Sequence, residues 1–259
     1  MRQVPGPTMH GARPRNLGDI GLVHSWDMST GVDGPGTRFV LFVNGCPLRC
    51  LYCANPDTWH LRDGRRTDVD EVMDRIEACR DFLRASGGGV TITGGEPLLQ
   101  APFVETVLRR CRELGLHTAL DTSGYLGARA GDRLLSATDL VLLDIKSFDP
   151  DAYRRLTGRE LAPTLAFARR LADLGIPVWL RFVLVPGLTE DPAMIDELAA
   201  FAAGLGNVER VDVLPFHKLG AAKYDDLGIT FPLRDTPLPQ VGLVERVRAR
   251  FRAHGLRAH

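Results

Sequence analysis

The chain has 259 residues, 44% of them apolar and 25% charged, enough for two small domains or one barrel-sized α/β domain whose core needs no disulfide staples. Its 32 basic side chains balance 32 acidic ones, which excludes the broad basic field of a general nucleic-acid or anionic-membrane binder. The odd cysteine count of five, with no apolar h-region at the N-terminus and no apolar run of membrane-spanning length, points to a reducing cytoplasm rather than export or a bilayer.

Residues 1–19 are rich in Pro, Gly and Arg without periodicity and read as a flexible tail; residues 20–259 read as one domain. The first strand is predicted at residues 38–44 (RFVLFVN). A helix follows at 68–85, where Val69, Val72, Met73 and Ile76 recur at helical spacing. Further strands are predicted at 89–95, 117–124, 140–146, 178–186 and 208–217, the fifth interrupted by Arg181. Between and after them lie predicted helices at 101–114, 129–136, 150–157, 162–174, 192–204 and 238–254. Gly115, Gly175 and Gly204 stand where helix C-caps are expected. Alternating strands and helices imply parallel strands in βαβ units, an α/β fold best described as a partial (β/α)6 TIM-like barrel of parallel strands in a single domain. Chemistry in such folds gathers where the strands end. Those ends collect Cys46, then Gly94, Gly95 and Glu96, then Asp121, then Asp144 and Lys146, and last His217.

The sharpest motif is C-x3-C-x2-C at Cys46, Cys50 and Cys53. Thiolates select iron–sulfur clusters, zinc or copper(I), and taken alone the triplet also admits zinc with His60 as fourth ligand. Three thiolates on a cubane of four irons leave one iron open to a substrate. Cys79 and Cys111 are isolated within helical patterns and read as inert core thiols. The second motif is TGGEP at residues 93–97, whose glycines permit close backbone approach and whose Glu96 offers a charge for an amine. Each of Asp121, Asp144, Lys146, His24 and His217 by itself has an ordinary structural explanation. Convergence on one sheet edge favours function for all but His24.

Together the two motifs resemble the radical S-adenosylmethionine superfamily, and residues 21–228 resemble its pyruvate formate-lyase activating enzymes. The matching segments are GLVHS (21–25), VDGPG (32–36), RF (38–39), GCPLRCLYC (45–53), NPDTW (55–59), SGGGV (86–90), DT (121–122), DLVLLDIK (139–146), VPG (185–187), LPFH (214–217) and KY (223–224). The resemblance implies a [4Fe–4S] cluster on Cys46, Cys50 and Cys53. It implies S-adenosylmethionine against Tyr52, Cys53, Ala54, Gly94, Gly95, Glu96, Asp144, Ile145, Lys146 and His217. A monovalent cation is implied near Asp121, Thr122 and Asp144. The partner's peptide is implied at Asp33, Gly34, Pro35, Gly36 and Arg38, in a loop expected at the barrel mouth.

The implied reaction is reductive cleavage of S-adenosylmethionine and hydrogen abstraction from a glycine of pyruvate formate-lyase. The electron would come from a low-potential donor such as flavodoxin or ferredoxin. Ala54 departs from the family's usual His, and Ser123 from a commoner Asn. Activation of another glycyl-radical enzyme, action on a small molecule or an RNA base, and a non-enzymatic zinc or electron-transfer role are the alternatives. The ferredoxin-like insertion of many related activases is absent, since only Cys79 lies between Cys53 and Gly94.

Overall fold

The computed structural model describes residues 18–259. Most of the predicted tail therefore lies outside the described residues, while Gly18 and Asp19 already belong to the domain. The Asp19 carbonyl accepts the Val69 N–H at 2.8 Å, and a Cβ on Gly18 would stand 2.6 Å from Thr106 Oγ1.

All six predicted strands form and pair in parallel in chain order. They are β2 (Thr37–Val43), β4 (Gly89–Gly94), β5 (His117–Thr122), β6 (Leu140–Asp144), β7 (Val178–Leu184) and β8 (Val208–Pro215). Two further strands extend the sheet antiparallel beyond β2, first β1 (Ile20–Thr30) and then β3 (Arg65–Asp68). The sequence did not show them because β1 mixes polar and apolar residues and β3 is four residues, RRTD. The result is a single α/β domain with a mostly parallel eight-stranded sheet. A short charged edge strand such as β3 resists pairing with other chains. At the other edge the C-terminal residues pair with β8, the Val211 N–H donating to the Arg257 carbonyl at 2.8 Å and the His259 N–H to the Val211 carbonyl at 2.9 Å.

Helices cover the outer face. They are α1 (Val69–Ala78), α2 (Arg80–Ala85), α3 (Ala101–Glu113), α4 (Asp132–Ser136), α5 (Pro150–Thr157), α6 (Ala162–Asp173), α7 (Pro192–Leu205), α8 (Ala221–Asp226) and α9 (Val241–Ala253). Capping aspartates start three of them: Asp68 accepts the Asp70 N–H, Asp149 the Ala152 N–H, and Asp191 those of Ala193 and Met194. The predicted helix 68–85 is two helices broken at Cys79, whose backbone leaves helical geometry. Gly204 lies inside α7, and Gly206 with φ +75° is the left-handed cap. No helix among the described residues is long and apolar enough to cross a membrane.

Strand alternation sorts the residues. Val90, Ile92, Leu120, Val141, Leu143, Leu180 and Phe182 point outward into the core beneath the helices. Thr91, Thr93, Asp121, Asp144 and Arg181 occupy the opposite positions and face the barrel interior. A second apolar cluster (Tyr52, Leu156, Val185, Phe216, Tyr224, Phe231, Leu233) packs round the cysteine loop where the strands end.

Candidate active site

A cavity of about 520 Å³ opens at the C-terminal ends of the parallel strands. Cys46, Cys50, Tyr52, Cys53 and Ala54 line it from the loop after β2, and Thr93, Gly94 and Gly95 from the end of β4. Asp121 and Thr122 reach it from β5, Asp144 and Lys146 from β6, Arg181 from β7, His217 from beyond β8, and Asp33 from the β1–β2 turn.

The cysteine loop is held along its length. Gly45 adopts φ +94°, and a Cβ there would lie 2.6 Å from Leu61 and Leu99 carbons. The Arg49 and Leu51 N–H groups donate to the Thr157 and Leu156 carbonyls at the end of α5, at 2.8 and 2.9 Å. The Tyr224 hydroxyl of α8 donates to the Cys53 carbonyl at 3.2 Å. All three cysteines are free thiols. Burial pushes the Cys50 thiol up to about 12, and raises Cys46 and Cys53 as well, so burial favours the protonated thiol at each. Among the described residues, no three His, Cys, Asp or Glu side chains gather tightly enough for a single metal ion. A cubane differs because each thiolate takes its own iron, and three thiols spread round one cavity with no fourth suit that larger group.

Gly94 and Gly95 are required by the protein's own backbone. With φ +119° at Gly94, a Cβ would stand 2.3 Å from the Val43 nitrogen and oxygen; one on Gly95 would stand 2.4 Å from the Gly45 carbonyl oxygen. The Gly95 and Glu96 N–H groups donate to the Val43 and Gly45 carbonyls, both at 2.8 Å, stitching β4 to the start of the cysteine loop.

Glu96 is not free to meet an amine, contrary to the expectation from its charge. It is 1% exposed and does not line the cavity. Oε1 accepts from Thr122 Oγ1 at 2.6 Å and from the Leu98 N–H at 3.1 Å. Oε2 accepts from Ser123 Oγ at 2.5 Å and from its N–H at 3.0 Å. Burial raises its pKa, and those four donors oppose the rise. Glu96 therefore ties the end of β4 to the end of β5. Glu96→Ala strands these donors at about 1–3 kcal/mol each. The variant is expected to melt several degrees lower and to bind cofactor more weakly because Thr122 and Ser123 shift. Weaker binding with an unchanged melting temperature, measured side by side, would restore the direct role.

The floor is a buried polar network. Arg181, 7% exposed, donates to Asp121 Oδ2 at 2.9 Å, to the Val32 carbonyl at 2.8 Å and to Asp33 Oδ1 at 3.4 Å. Thr93 Oγ1 also donates to Asp121 Oδ2, at 2.7 Å. Burial pulls Arg181 down, but Asp121, Asp144 and Asp33 outweigh it and hold its pKa above the ordinary arginine value. Lys146 sits 2.8 Å from Asp144; burial lowers it, while Asp144, Tyr52 and Cys50 carry the net well above the lysine range. Both cations stay charged.

A family model described as the radical SAM superfamily matches residues 40–199. The pyruvate formate-lyase-activating enzyme of Staphylococcus aureus (strain USA300) is 45% identical over 239 residues, covering 90% of this chain and 94% of that one. The chain belongs to the pyruvate formate-lyase-activating enzyme family, within the radical SAM superfamily.

Solved structures agree. A domain of a pyruvate-formate lyase-activating enzyme from Bacteroides vulgatus ATCC 8482 superposes with TM-score 0.56 at 28% identity, over 66% of this chain and 98% of that one. A radical SAM methyltransferase from Sphaerobacter thermophilus, TM-score 0.62 at 18% identity over 95% and 74%, shares the fold alone. Membership in the radical SAM superfamily makes S-adenosylmethionine and a [4Fe–4S] cluster the cofactors of this activating-enzyme homologue.

Of the residues expected at the site, Cys46, Cys50, Cys53, Tyr52, Ala54, Gly94, Gly95, Asp121, Thr122, Asp144, Lys146, His217 and Asp33 share the one cavity. Glu96 and Ile145 do not, the Ile145 side chain being buried in the core under the helices. The Asp33–Gly36 turn joins β1 to β2 at the end of β2 opposite Cys46, not at the mouth, and of it only Asp33 reaches the cavity, beside Val32. Gly36 leaves room for this chain's own Gly88 nitrogen and Ser86 oxygen, each 2.5 Å from where its Cβ would be.

Arg38 is 0% exposed and unavailable to a docking chain. It donates to Thr91 Oγ1 at 2.9 Å, to the Val90 carbonyl at 2.5 Å and to His117 Nδ1 at 3.1 Å, and burial lowers it to about 10. Thr91 Oγ1 passes the contact on to the Asp33 carbonyl at 2.6 Å. Arg38 thus props the turn from beneath. Arg181 was the residue sequence reasoning missed, and its signal was a charge inside an otherwise apolar strand.

Proposed function

We propose that this chain installs a glycyl radical on pyruvate formate-lyase. The observation that carries the reading is that three thiols, the Gly94–Gly95 backbone, the Asp144–Lys146 pair and Asp33 all meet in one cavity. Cys46, Cys50 and Cys53 hold the cluster as thiolates. The cluster held there would supply the one-electron reduction of S-adenosylmethionine that hydrogen abstraction from a glycine α-carbon of the partner requires.

This chain's residues position and shield. Tyr52 and Ala54 line the nucleoside side. Gly94, Gly95, Lys146, Asp144 and His217 surround the amino-acid end, so that electron transfer is effectively intramolecular. Asp121, Thr122 and Asp144 offer oxygens for a monovalent cation beside the carboxylate. Asp33, held by Arg181 and through Thr91 by Arg38, lines the inner end of the cavity, where the tip of an inserted peptide would reach. The electron comes from a low-potential flavodoxin or ferredoxin, and the setting is the cytoplasm.

Mixing the reduced, reconstituted protein with S-adenosylmethionine and pyruvate formate-lyase should produce a carbon-centred glycyl radical by electron paramagnetic resonance. Oxygen should then cut the partner at that residue. Asp33→Ala should impair this while leaving cofactor affinity within about twofold, since a cavity-wall charge aimed at the partner is worth roughly 1.5–3 kcal/mol only when the partner is present. Cofactor cleavage without a radical on the partner, alongside turnover of a small molecule or an RNA base, would reject the reading.

A further inference from the structure

Three of the matching segments lie apart in the chain, GLVHS on β1, NPDTW after the cysteine loop and KY on α8, yet the fold joins them in one run of polar contacts. His24 Nε2 lies 3.0 Å from Asp57 Oδ2, Lys223 Nζ lies 3.0 Å from the same oxygen, and Lys223 Nζ donates to Asn55 Oδ1 at 2.8 Å. The run ends at the cavity wall, which Asn55 lines and His24, Asp57 and Lys223 do not. Gly220 lets α8 come this close: a Cβ there would stand 2.7 Å from the Ala54 carbonyl oxygen.

Asn55 does not do what its place in the chain suggests. It stands at the N-cap of the short 3-10 helix Pro56–Thr58, where asparagine ordinarily takes a backbone N–H on its side chain, and no such bond forms. Its main-chain carbonyl holds the turn instead, accepting the Thr58 N–H at 3.0 Å and the Thr58 hydroxyl at 2.7 Å. The side chain is committed to Lys223. An ammonium only donates, so Asn55 turns its oxygen to Lys223 and its nitrogen away. That nitrogen has no partner among the described residues, and it is not one of the polar atoms sealed off from solvent. Asn55 therefore offers a locked donor at the cavity wall.

We propose that Asn55 is a further cofactor-binding residue whose side-chain amide nitrogen donates a hydrogen bond to a ring nitrogen of the adenine of S-adenosylmethionine. This rests on the reading that Tyr52 and Ala54 line the nucleoside side, since Asn55 follows Ala54 directly. A ribose hydroxyl donates or accepts as its neighbour requires, so it would suit the amide in either orientation. The unsubstituted ring nitrogens of adenine only accept, and an amide free to turn would spend part of its time presenting them an oxygen. Lys223, held in turn by Asp57, removes that wrong orientation before the ligand arrives.

The test uses the full chain reconstituted anaerobically with iron and sulfide, titrated calorimetrically with 5′-deoxyadenosine and, separately, with methionine. Asn55→Asp keeps an acceptor for Lys223 and removes the donor. It weakens 5′-deoxyadenosine binding roughly tenfold and leaves methionine binding and the melting temperature unchanged. Because 5′-deoxyadenosine is neutral, the new carboxylate brings no ion pair or charge repulsion to the comparison. Analogues with N1, N3 or N7 replaced by C–H then name the atom: one of the three binds the unaltered chain about tenfold more weakly and loses nothing further in Asn55→Asp. Three analogues as tight as the parent nucleoside, an analogue loss that persists in full in Asn55→Asp, an unchanged affinity in that variant, or a loss on methionine instead overturns the proposal and spares the cofactor assignment. If Asn55→Asp does not fold, Lys223→Met decides: it frees the amide to turn and so shrinks the analogue loss, and a loss left whole overturns the proposal. An unaltered chain that takes up a cluster and binds neither probe overturns the proposal and the nucleoside reading together.

Discussion

Alanine at Cys46, Cys50 or Cys53 abolishes cluster assembly, so iron and sulfide content after reconstitution falls to background and S-adenosylmethionine is no longer cleaved. On the proposed assignment these three thiols would be the cluster's only protein ligands, and losing one would leave two, too few to hold it. Cys79→Ala and Cys111→Ala keep the full iron content. Cys79 sits at the break between α1 and α2, its Sγ donating to the Ile76 carbonyl at 3.3 Å, and Cys111 is fully buried in α3. Neither lines the cavity. Iron loss in either control overturns the ligand assignment.

The second large effect is at Arg181. Methionine there removes the donor from Asp121, from the Val32 carbonyl and from Asp33, and leaves the carboxylates of Asp33 and Asp121 without their shared counter-charge. Breaking a buried ion pair from one side costs about 3–5 kcal/mol. For a domain of this size that lowers the melting temperature by roughly 10 °C. Cofactor binding falls too, because Asp121 loses its orientation. Arg181→Lys keeps the charge but not the planar fork that reaches three acceptors, and is expected to lie between the two. Calorimetry and cofactor titration check both variants; a melting temperature for Arg181→Met within 1–2 °C of the parent protein would show that the network is not what holds the floor.

The six parallel strands and the thiol triplet were legible in the sequence because both are local signals. An apolar run of strand length, a capping glycine, and the spacing of Cys46, Cys50 and Cys53 are properties of neighbours in the chain. Cavity lining by Asp121, Asp144, Lys146 and His217 followed from one further rule, that parallel strands place their C-terminal ends on one edge. What only the tertiary structure decided depends on partners distant in sequence. Strand β1 exists because β2 offers an edge to pair with, and β3 because β1 then offers one, not because RRTD favours extension. Glu96 and Arg38 are charged residues in matching motifs, and motif reading assigned them to ligand and partner. Folding instead encloses each among this chain's own donors or acceptors, at Thr122 and Ser123 for one and at Thr91, Val90 and His117 for the other. A charge at a strand end has the same local pattern whether it faces a ligand or the core. Burial, which removes water and makes an unpaired charge costly, settles which partner it takes.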